Sequence, residues 1–398
     1  MTPDDQLGTA LASLLRQSHL MRPDDLPRLV DEAARLVGAS GCRLYLIARD
    51  QRSLVEVASG GKPDGDSLGL DGTVAGRAYR LTELTATADG ERLWVPLLDG
   101  TERLGVLELL TDGPDVAAAL HEPVLVLAAL VAELVVSKGQ YTDTFERTRR
   151  ALPMGVPAEM LWRQLPPLTF ATDRFVLTAQ LEPWHEVGGD AFDYSIDGEL
   201  LRFAVFDGMG HGLGATLLAS VALAAYRNAR REGLDLIATA AAIDASLAGE
   251  FGVESFVTGV LAELDLDRGT VRTLCAAHPA PLLVRAGRSL GELDTDPGFP
   301  LGFGERDDTI VEASLEPGDR LLMFSDGVIE ARSPAGEFFG TDRLIDLLVR
   351  QESHQQPPPE TLRRLIVAVL EHQHGMLQDD ATLLLLEWAG DSNAVVLR

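Results

Sequence analysis

Lysine is almost missing: of 398 residues, only Lys62 and Lys138 are lysines. Arginine carries nearly all the positive charge, and the formal net charge is −27. Such a chain has little with which to neutralise nucleic-acid phosphates over a large footprint, and it is repelled by an anionic membrane surface. Cysteine is equally scarce. Cys42 and Cys275 fall in different expected domains, which argues against a disulfide framework and for a reducing compartment. A cysteine phosphatase needs an arginine six residues beyond its nucleophile; those places hold Ala48 and Pro281. A P-loop is missing too, because Gly61-Lys62 is followed by Pro63. No apolar run is long. The most apolar segment, Val124–Val136, contains Glu133 and is too short to span a bilayer. Met1–Leu20 carries Asp4 and Asp5 before any apolar stretch and does not read as a cleavable signal. The expected location is the cytoplasm.

What is present is enough apolar content, 46%, for full cores, and enough length for two domains. Residues 5–38 predict two helices broken near Arg22-Pro23. Strands follow at Cys42–Ala48 and Leu54–Ala58, a Gly/Asp loop at 60–72, and a short helix at Thr73–Tyr79. Asp99-Gly100 signals a hairpin between Leu93–Leu98 and Leu104–Leu110. One helix is expected from Val116 to Lys138. Residues 1–140 thus form a small α/β domain, and 141–165 a helical linker interrupted by Pro153, Gly155 and Pro157. In residues 166–390 many antiparallel strands, with helices inserted in pairs, suggest two packed sheets covered by helices.

Four acidic clusters stand at expected strand ends or tight loops: Gly188-Gly189-Asp190, Asp207-Gly208, Ser325-Asp326-Gly327 and Asp379-Asp380. The turn Asp197-Gly198 lies midway between Asp190 and Asp207, so a hairpin closed there sets these two acids near-opposite at its open end. Carboxylates that close repel one another and are costly to desolvate. A divalent cation with hard oxygen ligands, Mg²⁺ or Mn²⁺, relieves both costs.

Residues 166–388 resemble the metal-dependent type 2C (PPM) serine/threonine phosphatases in their SpoIIE-like bacterial branch. The matching words are Val187-Gly188-Gly189-Asp190, Asp207-Gly208-Met209-Gly210-His211-Gly212, Ala277-His278-Pro279-Ala280-Pro281, and Pro300-Leu301-Gly302. They continue with Pro317-Gly318-Asp319, Ser325-Asp326-Gly327-Val328-Ile329-Glu330-Ala331, Phe339-Gly340 and Asp379-Asp380-Ala381-Thr382. The resemblance implies a β-sandwich flanked by helical layers, an α+β fold. It implies two Mn²⁺ or Mg²⁺ ions, with Asp207 bridging them. The Gly208 carbonyl and Asp190 serve one ion; Asp326 and Asp379 hold the other. Asp379 is preferred to Asp380 because the first acid of the pair occupies the family's ligand position. It further implies two-metal hydrolysis by water without a phosphoenzyme, with Asp190 and Asp207 as the catalytic pair. The substrate would be a phosphoprotein such as an anti-sigma-factor antagonist. Ala277 departs from the family's usual glycine.

His211 is expected to order its loop and His278 to be a hydrogen-bonded loop histidine. His185-Glu186 is expected in a solvated loop. Asp193 either supports the site from behind or lies on the surface. Residues 1–140 resemble a GAF domain through their element order, Asp71-Gly72-Thr73-Val74-Ala75-Gly76 and the Asp99-Gly100 hairpin. That resemblance implies a sensor or dimerising module, a homodimer, and an unidentified ligand. Two rivals remain: a catalytically silent scaffold, and a metal-dependent nucleotide cyclase or phosphodiesterase.

Overall fold

The computed structural model describes residues 3–59, 67–150, 152–182, 188–252, 254–293, 297–304, 306–374 and 377–390. The chain divides between Pro153 and Met154 into two units, each with its own core.

In the first unit α1 (Pro3–Ser18) and α2 (Leu26–Val37) are separated by a 3-10 turn at Pro23–Asp25. The strands are β1 (Gly41–Ile47), β2 (Ser53–Glu56) and β3 (Ser67–Gly69), then α3 (Val74–Leu81), β4 (Thr85–Ala86), β5 (Arg92–Asp99) and β6 (Glu102–Leu110). Three helices close the unit: α4 (Pro114–Ala119), α5 (His121–Gly139) and α6 (Thr144–Arg149). Among the described residues the sheet order is β3-β2-β1-β6-β5-β4. Alternation along β1 serves both faces. Cys42, Leu44 and Leu46 pack with α1, α2 and α5, while Tyr45 and Ile47 lie under α3. Thr73 caps α3, its hydroxyl accepting from the Gly76 N–H at 2.9 Å.

Three expectations need correction here. The single helix over 116–138 is two, α4 and α5. Pro123 has no N–H to continue the ladder and its ring crowds the preceding turn. Within the expected 60–72 loop, Ser67–Gly69 pairs with β2 as a strand; residues 60–66 lie outside the described residues. The 141–165 segment has helical pieces on both sides of Pro153 as expected, but it does not stand apart as a linker: α6 lies in the first unit and α7 (Val156–Trp162) in the second.

The second unit continues with β7 (Thr169–Ala171), β8 (Phe175–Glu182), β9 (Asp190–Asp197), β10 (Leu200–Gly208), α8 (Leu213–Arg231) and α9 (Leu236–Phe251). Next come β11 (Val257–Asp265), β12 (Thr270–Ala276), β13 (Leu282–Arg285), β14 (Arg288–Glu292), β15 (Ile310–Ser314) and β16 (Arg320–Phe324). The unit ends with α10 (Asp326–Ile329), α11 (Thr341–Ser353), α12 (Pro358–His372) and β17 (Ala381–Trp388). Among the described residues two sheets form, β15-β12-β11-β10-β9 and β14-β13-β16-β17-β8-β7. Phe175, Phe203, Val205, Met323 and Leu384 fill the space between them. Helices α8 and α9 cover the first sheet through Ala222, Tyr226 and Ile243. Helices α11 and α12 cover the second through Leu348, Leu365 and Val369. This layering explains the unbroken run Leu383-Leu384-Leu385-Leu386: alternate leucines face opposite cores, so β17 is buried on both sides. Each fully buried leucine contributes about 1.5–3 kcal/mol.

Candidate active site

The hairpin closes at Asp197-Gly198, and its register pairs Leu200 with Asp197 and Asp207 with Asp190. The two acids are directly opposite at the open end, where paired Cα atoms lie about 4.5–5.5 Å apart. On its other side Asp207 pairs with Thr258 of β11. Asp326 starts α10 where β16 ends, and Asp379-Asp380 enters β17, the neighbour of β16. Backbone closeness joins these two segments. A Cβ on Gly327 would fall 1.9 Å from the Asp380 carbonyl oxygen, so only glycine lets the chains meet there. Gly189 works likewise beside the hairpin: its Cβ would lie 2.4 Å from the Gly208 carbonyl, and its own carbonyl accepts from the Gly208 N–H at 3.0 Å.

The electrostatics follow from this crowding. Burial, then Asp326, Asp379 and Asp380, raise Asp207 to about 7. Burial, then Asp207 and Asp380, push Asp190 well up, against the easing effect of the Ser325 and Thr382 hydroxyls. Asp190 is 2% exposed, and its Oδ2 has no hydrogen-bond partner among the described residues. Asp326 is raised by burial, then by Asp379 and Glu330. Asp380 is also raised, first by burial, although three backbone donors oppose the shift. Its Oδ2 accepts from the N–H groups of Gly188 (2.6 Å), Gly189 (2.8 Å) and Asp190 (3.3 Å). That oxygen is occupied with holding the loop before β9. Asp379 is exposed, its Oδ1 accepting only the Asp380 N–H, at 2.9 Å, among the described residues.

Five aspartates from four segments therefore converge. None of them forms an ion pair with an arginine, lysine or histidine among the described residues. Burial, mutual repulsion and an orphaned Oδ2 fit an oxygen-ligated divalent cation. The acids nevertheless stop short of a finished cage: no three His, Cys, Asp or Glu side chains among the described residues close around one point.

The family model described as "Stage II sporulation protein E (SpoIIE)" matches residues 197–389. The matched stretch lies within the second unit and includes Asp207, Asp326 and Asp379. The match begins seven residues after Asp190, on the hairpin that pairs this acid with Asp207. The chain is 25% identical over 206 residues to the phosphoserine phosphatase RsbU of Bacillus subtilis (strain 168). The aligned stretch covers 51% of this chain and 60% of that one. It is similar to a solved structure of the RsbU and RsbW domains of Rv1364c from Mycobacterium tuberculosis, with 26% identity, TM-score 0.47, and coverage of 55% and 62%. It is also similar to the SiaA-PP2C domain of Pseudomonas aeruginosa, with 22% identity, TM-score 0.49, and coverage of 58% and 94%. The chain thus spans about three fifths of the length of RsbU.

Several residues differ from expectation. Asp193 is neither at the site nor on the surface. It is 2% exposed and is clamped by Arg227 Nε (2.9 Å), Arg227 Nη2 (3.1 Å) and Arg230 Nη2 (2.9 Å) of α8. His211 is exposed and makes no side-chain hydrogen bond among the described residues, so no loop-ordering contact is seen. His278 is a buried, hydrogen-bonded loop histidine: its Nδ1 lies 2.9 Å from the Thr258 hydroxyl, and burial lowers it to about 4. Its Nε2 faces the Phe324 backbone without reaching hydrogen-bond geometry. His185-Glu186 lies outside the described residues. Cys275 packs between the sheets and donates to the His278 carbonyl at 2.9 Å; Cys42 packs in the first unit's core. Sequence reasoning quoted Ser325 in a motif without giving it a role, although its Oγ accepts from the Thr382 N–H at 3.0 Å, and it passed over Thr216, whose hydroxyl donates to the Gly188 carbonyl at 2.7 Å. It also passed over Asp244 of α9, which accepts from Gly302 N at 2.7 Å and so anchors the Pro300-Leu301-Gly302 loop.

Proposed function

We propose that the chain is a metal-dependent serine/threonine protein phosphatase of the type 2C kind. Its substrate is a phosphorylated partner-switch protein resembling an anti-sigma-factor antagonist, and its N-terminal unit is a GAF-like sensor that regulates it. One observation carries the reading: aspartates from four separate segments, none in an ion pair among the described residues, crowd the open end of one hairpin. Asp190, Asp207, the Gly208 carbonyl, Asp326 and Asp379 would hold two Mn²⁺ or Mg²⁺ ions. When bound, such ions supply a nucleophile at neutral pH and absorb charge on a phosphoryl group. The chain itself does the positioning. Asp380 fixes residues 188–190 through their N–H groups, and Ser325 Oγ, accepting from the Thr382 N–H at 3.0 Å, ties the end of β16 to β17. The B. subtilis relative is named as a phosphoserine phosphatase, which supports the same substrate class here.

Regulation is proposed to enter through α7. The Gln164 carbonyl just beyond this helix accepts a hydrogen bond from Arg227, and the Gln164 side chain donates to Ser220 at 2.8 Å. Arg227 in turn grips Asp193, three residues along β9 from Asp190. A displacement of α7 therefore reaches the site if α8 has two arrangements of different energy. In this reading the protein is a cytoplasmic homodimer.

The test is Mn²⁺-dependent release of phosphate from a phosphoserine protein, with Asp207→Asn as control and a nucleotide as rival substrate. Near-complete loss in the variant is expected. Turnover of the nucleotide but not the phosphoprotein would overturn the reading. Removing residues 1–153 is expected to change kcat or the metal requirement; identical kinetics would reject the regulatory part.

A further inference from the structure

The first unit contains a cavity of about 240 Å³ beside the helix-covered face of its sheet, between α5 and α6. Leu46, Leu104, Val135 and Phe145 line it with apolar surface, and Glu146 and Arg149 bring charge to it. The two charges are not equivalent. Glu146 is already held at two points by Arg49, Nη2 to Oε1 at 2.6 Å and Nε to Oε2 at 3.3 Å. A third arginine, Arg150, lies 3.8 Å from the same carboxylate. Arg149 has no such partner. Its Nε donates to the Ile47 carbonyl at 3.0 Å, and among the described residues no carboxylate stands within ion-pair range of its guanidinium. Glu146 and Glu102 act on Arg149 only from beyond ion-pair range.

The roof is built rather than loose. Thr144 at the start of α6 donates to Asp24 at 2.6 Å, and the Arg149 carbonyl at its end accepts from the Arg49 N–H at 2.8 Å. Burial, then the neighbouring Arg49, pull the Arg149 guanidinium down to about 10. It stays charged at neutral pH, in surroundings where an anion would relieve it.

We propose that this cavity binds a small monocarboxylate with an apolar body, its carboxylate paired with Arg149 and its body against Leu46, Leu104, Val135 and Phe145. Forked pairing between guanidinium and carboxylate is the strongest polar contact open to such a ligand. The volume is on the order of eight water molecules, below the roughly 300–1,000 Å³ of drug-sized sites. It suits a body no larger than a phenyl ring or a short branched alkyl chain. The site stands independently of the phosphatase reading.

The experiment is calorimetric titration of the full chain with phenylacetate and with 4-methylpentanoate, using phenylacetamide as the uncharged analogue. At least one acid is expected to bind saturably, with phenylacetamide at least tenfold weaker than phenylacetate. Arg149→Gln should weaken the acid at least tenfold and leave phenylacetamide unchanged. Val136→Trp, at the cavity's partly exposed rim, should block the acid while keeping Arg149, with the unfolding midpoint reporting that the unit is folded. If Arg149→Gln does not fold, the Val136→Trp result decides. No saturable binding of either acid, equal affinity in Arg149→Gln, or undiminished binding in Val136→Trp overturns the proposal.

Discussion

Replacing Asp207 by asparagine should stabilise the metal-free protein while abolishing its activity. The carboxyl is raised from its ordinary 3.8 to about 7, first by burial and then by Asp326, Asp379 and Asp380. An acid whose folded pKa lies above its unfolded value holds its proton more tightly in the folded state. Below pH 3.8 both states are protonated and no penalty exists. Between 3.8 and about 7 the unfolded chain gives up the proton first, so stability falls as pH rises. Above about 7 the penalty is fully present. Three pKa units at about 1.36 kcal/mol each set a ceiling of about 4 kcal/mol. Partial exposure and a site dielectric nearer 20 than 4 reduce this to about 1–3 kcal/mol. The assay is urea unfolding in a chelator at pH 4.5 and pH 8, following the second unit. The asparagine variant is expected to be more stable by that amount at pH 8, with the gap shrinking toward pH 4.5. Saturating Mn²⁺ should reverse the order, because only the wild type gains strongly from cation binding. A variant less stable at pH 8, or a gap indifferent to pH, would refute the idea that these carboxylates repel one another in the fold.

Asp380→Ala strands the N–H groups of Gly188, Gly189 and Asp190. It should cost about 1–3 kcal/mol in urea unfolding and lower kcat at least tenfold in the phosphatase assay. Ala277 has φ 51°, in the left-handed region, so Ala277→Gly should stabilise the second unit by about 0.5–1 kcal/mol, read from the urea midpoint. Asp193→Asn leaves Arg227 and Arg230 without their counter-charge; a loss of about 3 kcal/mol is expected in the same measurement.

The parts of the fold legible in the sequence were those whose signals are local. The β9–β10 hairpin follows from one Asp-Gly turn between two apolar runs, and the placement of Asp190 opposite Asp207 is arithmetic on that turn. The double burial of β17 is written as four leucines in a row. Strands β7, β14 and β15 were not anticipated, because they are short sheet-edge strands with partly exposed residues. They carry neither a buried run nor clean alternation. Asp193 could not be read because its arginines lie 34 and 37 residues away, on a helix. Two adjacent acids at Asp379-Asp380 say nothing locally about which turns inward; the order came from the family resemblance, and the backbone bonds to Asp380 depend on a loop 190 residues earlier. The first unit's cavity arises where α5 and α6 meet the sheet, and no single segment encodes it.

Seven steps separate Asp197 from Asp190 along β9, and seven separate Leu200 from Asp207 along β10. The hairpin thus works as a counting device: equal arms measured from one bend bring two distant letters of the chain level with each other. Residues can be added at the tip around Gly198 without disturbing that tally, because both arms move together. A single residue added within either arm breaks it, turning every side chain beyond the insertion to the opposite face. Evolution or an engineer can therefore lengthen this protrusion freely at its far end, while the arms themselves tolerate exchange of side chains but not a change in their number.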